Sequence, residues 1–171
     1  MSAADAGESE SRAHRASVLK ERIYVSFTTL AVVIALRAHD DHPSASVALG
    51  TLAVTVIATV VAVYVADVLS HMVVHEGLPH SAEHRRIVTS TLGAATVSLP
   101  PLISLALAAL GLYSAAAGLV AAMVLTIATL AAVGVLAVRK LALPRGQRIA
   151  ILVGEVALAT VVIALELLAH R

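Results

Sequence analysis

Five long apolar stretches occupy most of this chain, and the charged residues fall between them. The stretches run Ile23–Leu36, Val47–Leu69, Ile87–Leu112, Ala115–Val138 and Ile149–Leu168. A bilayer core of about 30 Å needs roughly 20 apolar helical residues to cross it. The last four stretches meet that length. The first is shorter, but the stems of Lys20, Arg22 and Arg37 can extend it while their charged heads reach the interface. The pattern predicts an all-α, polytopic membrane protein with five transmembrane helices in one domain, residues 18–171.

The polar segment 1–17 is rich in Ser, Ala, Glu and Arg and lacks the apolar residues to build a core, so it reads as a disordered tail. The first apolar run has the length of a signal-peptide core. Asp5, Glu8, Glu10 and Glu21 precede it, however, and Leu36 stands where a cleavage site before Ala38 would need a small residue. It therefore reads as a helix. Arg37–Ser46, with Asp40, Asp41 and Pro43, reads as an exposed loop. His75–Arg86 is the longest internal connection, with Gly77 and Pro79 ending the second helix. Gly111–Ser114 is a tight turn, and Leu143–Arg148 is the last loop.

Charge sets the orientation. With the N-terminus inside, cytoplasmic segments hold Arg12, Arg15, Lys20, Arg22, Arg85, Arg86, Arg139, Lys140, Arg145 and Arg148, and only Arg37 and Arg171 lie outside. Ten of the twelve basic residues thus fall on one side, which predicts a cytoplasmic N-terminus and an extracytoplasmic C-terminus in the plasma membrane.

Composition agrees. Hydrophobic residues make up 59% of the 171 positions and charged residues 13%. Mean hydropathy is +0.92. A soluble domain carries about 25% charged residues. A net charge of +1, with basic residues confined to loops, excludes nucleic acid as a partner. The absence of cysteine excludes disulfides and thiolate metal sites. The lipid bilayer is the main partner, and a homodimer is an admissible assembly.

Within the third stretch, Pro100 and Pro101 remove backbone donors and predict a helix kink, with the carbonyls near Thr96 and Val97 paired otherwise or lining a cavity. Gly93, Ala94, Ala95, Ala117, Gly118, Ala121 and Ala122 suggest close helix packing, although alanine abundance alone could reflect base composition.

Four ionisable residues lie in or near the apolar stretches: Asp67, His71, Glu155 and Glu166. Charges at bilayer depth are costly and tend to be functional. Asp67, His71 and His75 share one face of the second helix at i, i+4, i+8. Asp67 and Glu155 are expected at similar depth, so Asp67, His71 and Glu155 form a candidate ion-binding site. His75, Glu76, His80, Glu83 and His84 form a candidate recruitment loop for a metal. Oxygen and imidazole donors suit divalent iron, zinc or manganese, and histidine also passes protons. The plainer reading of the loop is solvation and dipole complementation at helix ends. Glu166 can reach water at the outer end of its helix. The outer cluster His39, Asp40, Asp41 and His42 reads as a solvated loop. No enzyme motif is present, and His71-Met-Val-Val-His75 lacks the further histidine boxes of membrane hydroxylases.

Three segments carry a resemblance: His75-Glu76, Leu99-Pro100-Pro101-Leu102 and Ala164-Leu165-Glu166-Leu167-Leu168-Ala169-His170. On these the chain resembles small, uncharacterised integral membrane proteins of actinobacteria. It is also distantly similar to the vacuolar iron transporter family, to whose fourth helix end Gly134-Val135-Leu136-Ala137-Val138-Arg139-Lys140 is similar. That resemblance implies five helices, a metal-gathering segment between helices two and three, and metal-related roles for Asp67, Glu76 and Glu83. The chain departs from that family at Thr28-Thr29-Leu30-Ala31, where the family carries an acidic metal ligand and an Asp-Gly motif. The expected function is a small cation transporter, for a divalent metal or coupled to protons, and not an enzyme. The alternative is a membrane scaffold or accessory subunit whose polar residues are structural.

Overall fold

The computed structural model describes residues 3–39, 44–139 and 144–169. Side-chain surroundings are described over 14–38 and 44–139 and for part of 144–169. The elements are α1 (Ala3–His39), α2 (Ala45–His75), α3 (Ser81–Ala95), a 3-10 turn (Thr96–Ser98), α4 (Leu99–Ala109), α5 (Ala115–Arg139) and α6 (Arg145–Ala169). Among the described residues there is no strand.

Three helical segments among the described residues are long and apolar enough to cross a membrane: Ala45–His75, Ser81–Ala109 and Ala115–Arg139. The other two expected spans fall on α1 and α6, of 37 and 25 residues. Exposed faces are apolar, as lipid contact requires. Along α2, Val47, Val54, Ile57, Val61 and Val65 are all exposed, while Ala48, Leu52 and Val56 face inward. An unbroken apolar surface of this kind would drive aggregation in water. The chain has the surface of a membrane protein.

Helix α1 lies against α2, α3, α5 and α6. Its apolar run, the shortest in the sequence, supplies the core residues Val25, Leu30, Val33 and Ile34. The same helix carries the buried polar residues Glu21, Ser26 and Thr29 inward. A lipid-facing position would leave such groups unpaired. α1 also extends back to Ala3, through the segment read from composition as disordered. Ala, Glu and Arg are strong helix formers, and adding residues to an existing helix avoids the nucleation cost.

The connection expected over His75–Arg86 is shorter than the sequence suggested. α2 ends at His75, with Glu76 in the left-handed region at φ 52°, and α3 begins at Ser81. A reciprocal cap starts α3 early. The His80 side chain accepts the Glu83 backbone N–H, and a Glu83 carboxylate oxygen accepts the His80 N–H at 2.9 Å. Helix α3 therefore gains a turn that its polar residues concealed.

The α-helical ladder breaks just before the two prolines. Pro100 would leave the Thr96 carbonyl without its usual donor. The 3-10 turn supplies the Leu99 N–H to that carbonyl instead, and the Thr96 hydroxyl caps the Gly93 carbonyl at 2.7 Å. Pro100 and Pro101 then occupy the first turn of α4, where missing donors cost little.

Helices α4 and α5 meet at Gly118. A Cβ placed there would lie 2.7 Å from the Cβ of Ala108. The close approach lets the Ser104 hydroxyl donate to the Gly118 carbonyl at 3.2 Å, while the Tyr113 hydroxyl donates to the Ser104 carbonyl at 2.6 Å. Ala94 and Ala122 are also buried, but Gly93 meets no neighbour within 4 Å, so it does not mark a tight crossing. Overpacking a filled interface costs about 1–3 kcal/mol. Gly118→Ala should therefore destabilise the protein by that order, read as a lower thermal midpoint in detergent micelles, and adding Ala108→Gly should recover most of the loss. Equal midpoints for wild type and Gly118→Ala would contradict the close crossing.

Candidate functional site

The most buried acid among the residues with described surroundings is Glu21 on α1, 3% exposed. Both carboxylate oxygens are engaged. The Ser17 hydroxyl, one turn earlier, donates to Oε1 at 2.9 Å. The Ser90 hydroxyl from α3 donates to Oε2 at 3.0 Å. The Asp67 carboxyl on α2 and the Lys20 ammonium on α1 lie near enough to this group for Glu21 and Lys20 to act on Asp67 through their charges. One glutamate thus ties α1 to α3 beside Asp67 of α2.

Depth follows from helical rise. Asp67 lies eight residues before the end of α2, or about 12 Å. Ser90 lies nine residues into α3, a similar depth of about 13 Å. Asp67 and Ser90 therefore lie at matching levels on α2 and α3, counted from their connection. Deeper along α1, the Thr29 and Ser98 hydroxyls bond at 2.8 Å beside the 3-10 turn. Ser26 Oγ is buried without a hydrogen-bond partner among the described residues.

Nearer the connection, a second polar group continues the same face of α2. His71, one turn beyond Asp67, places Nε2 3.3 Å from Glu83 Oε2. Its ring lies 4.4 Å from that of His75, centroid to centroid. Tyr64, one turn before Asp67, meets the edge of His84 from α3 at 5.7 Å. Tyr64, Asp67, His71 and His75 thus form one stripe, with His84 and Glu83 of α3 packed on it.

The expected recruitment loop divides into separate contacts. His80 and Glu83 cap α3, His84 packs on Tyr64, His75 stacks on His71, and Glu76 is exposed at the helix end. Among the described residues, no group of three or more His, Asp or Glu could hold a metal ion. The Glu155 and Glu166 side chains lie outside the described residues, as do the surroundings of His39, Asp40, Asp41 and His42. Asp67 and His71 lie one turn apart on α2, and the acid near Asp67 among the described residues is Glu21. Glu21 escapes a sequence reading because Lys20 and Arg22 flank it in what looks like a solvated helix end. The signals for it are Ser17 one turn before and the polar Ser26 and Thr29 after, which mark α1 as facing protein rather than lipid.

A lateral groove of about 600 Å³ lies between α4 and α5, lined by Pro100, Ile103, Leu107, Ala117, Ala121 and Leu125 with Ser104 and Tyr113. It is a separate, mainly apolar feature.

No known protein family, curated protein or solved structure matches this chain.

Leaving a buried hydroxyl or carboxyl without its partner costs about 1–3 kcal/mol. Glu21→Ala should therefore destabilise the bundle by that amount, and Glu21→Gln by less, since the amide still offers an acceptor. Combining Glu21→Ala with Ser90→Ala should cost less than the sum of the two single changes. Thermal unfolding in micelles measures all four proteins. Additive losses would mean that Glu21 and Ser90 are not coupled.

Proposed function

We propose that this protein is a small proton-linked cation carrier of the plasma membrane, with Glu21 and Asp67 as its proton-exchange site. The observation that carries this reading is the buried Glu21 carboxylate, hydrogen-bonded to Ser17 and Ser90, with the partly buried Asp67 of α2 close enough to feel its charge. Ionisable groups at bilayer depth are expensive and are kept mainly where they serve transport or proton movement. Two carboxyls that hold a proton between them can release it when a cation takes its place, so cation entry and proton exit are coupled.

In this reading α1 and α6 also cross the bilayer, giving five spans. The N-terminus is cytoplasmic and the C-terminus outside, as the ten basic residues on one side favour. The α2–α3 connection then faces the cytoplasm. Glu155 on α6 stays a candidate third acid.

The alternative is a scaffold or accessory subunit, in which the same hydrogen bonds only fasten the helices. It is favoured by the way Glu21 fastens α1 to α3. Transport separates the two. The purified full-length chain is reconstituted into liposomes loaded with a pH-sensitive dye, and sodium, potassium and manganese gradients are imposed singly. At least one gradient should drive proton movement in the wild type. Asp67→Asn and Glu21→Gln should each abolish it while insertion and folding persist. Wild-type flux that both variants retain would refute the site. No flux with any of the three cations would favour the scaffold.

A further inference from the structure

The lateral groove between α4 and α5 follows from the residues on the two helices. Pro100, Ile103 and Leu107 line it from one face of α4, and Ala117, Ala121 and Leu125 recur every fourth residue along α5. The contact of Gly118 with Ala108 draws the helices together on their inner side. On the outer side Ala117 and Ala121 carry only a methyl group. A trough of about 600 Å³ therefore remains between the taller side chains of α4 and Leu125.

We propose that this groove seats one acyl chain of a membrane phospholipid, from the leaflet that meets the α4–α5 turn. Position, length and lining each favour that occupant. The groove lies between α5 and the Ser81–Ala109 segment, both long and apolar enough to cross a membrane. Ile103, 56% exposed, and Leu125, 38% exposed, stand on its outward side, where lipid is the neighbour.

Length separates a lipid chain from a protein helix. Ala117 and Leu125 are eight residues apart on α5, or about 12 Å. Leu125 is ten residues from the start of α5 at Ala115, or about 15 Å. A hydrocarbon core about 30 Å thick gives each leaflet about 15 Å. The groove thus runs from the turn to near the bilayer midplane and ends at Pro100 and Leu125. A transmembrane helix, from another protein or a second copy, would cross both leaflets and find a trough along only one. An acyl chain belongs to one leaflet and matches it.

The lining excludes a polar occupant. Its two hydroxyl groups have their protons engaged within the hairpin: Ser104 donates to the Gly118 carbonyl at 3.2 Å, and Tyr113 to the Ser104 carbonyl at 2.6 Å. Neither proton is left for a headgroup. Tyr113 stands at the turn end, the level where tyrosines meet the membrane interface. Attraction here is dispersion: an unfilled trough forfeits contacts that a chain embraced on several sides restores.

Native mass spectrometry tests this. The full chain is stripped of lipid in detergent, then mixed with dioleoyl phosphatidylglycerol or, separately, dioleoyl phosphatidylcholine. Wild type should retain a single phospholipid, equally with either headgroup. Ala121→Leu and Ala117→Leu each fill the trough and should weaken retention on the order of tenfold. Ala58→Leu, on the exposed face of α2, should leave it unchanged. Circular dichroism of every variant verifies that the helices persist, and two groove variants guard against one that fails to fold. Four results would overturn the proposal: no retained lipid in wild type, equal retention in folded groove variants, retention that depends on the headgroup, or a second copy of the chain held in place of lipid.

Discussion

A carboxyl group inside a helical bundle must find hydrogen-bond partners there, because neither lipid nor an apolar core offers any. Much of this structure follows from how Glu21 meets that demand. Ser17 reaches it from its own helix and Ser90 from α3, with Asp67 of α2 close by. These bonds require α1 to stand inside the bundle, with its polar face turned to α2 and α3. The apolar part of α1 then fills the core through Val25, Leu30 and Val33, while α2 turns Val54, Ile57 and Val61 outward. The molecule is polar in selected interior places and apolar on its surface, the reverse of a soluble domain.

Two local solutions let the remaining helices close around α1. The 3-10 turn at Thr96–Ser98 re-pairs the carbonyl that Pro100 would strand, and it brings Ser98 to Thr29 on α1. Gly118 lets α5 approach Ala108 of α4 closely enough for Ser104 and Tyr113 to bond across the turn. A small residue at a crossing contributes through contact distance, which matters more where hydrophobic association is unavailable.

The sequence made some of this legible and hid the rest for physical reasons. Long apolar runs and loop charges marked helices of membrane-crossing length, and paired prolines marked the break in the third run. Asp67, an acid deep in an apolar run, stood out as a site residue, with His71 beside it by helical spacing. Its described partner on α1 did not stand out. Val, Leu and Ala serve equally well against lipid and against protein, so the runs carry no record of which helices touch. Glu21 sits among Lys20 and Arg22, where an acid ordinarily marks a solvated end. The early start of α3 was hidden because His80 is an unusual cap, outside the Ser, Thr, Asp and Asn that normally signal one. Gly93 and Gly118 looked alike in sequence, and only Gly118 lies at a crossing.

The central claim is that Asp67 of α2 lies beside Glu21 of α1. Since the chain contains no cysteine, pairs can be introduced without background. Cysteines are placed at Glu21 and Asp67 in one protein and at Asp67 and Glu155 in another, and each is treated in membranes with a short thiol-to-thiol cross-linker. Mass spectrometry of the digested protein reads the linkage. The account predicts efficient cross-linking of the first pair and little of the second. A link that joins positions 67 and 155 while leaving 21 free would contradict it.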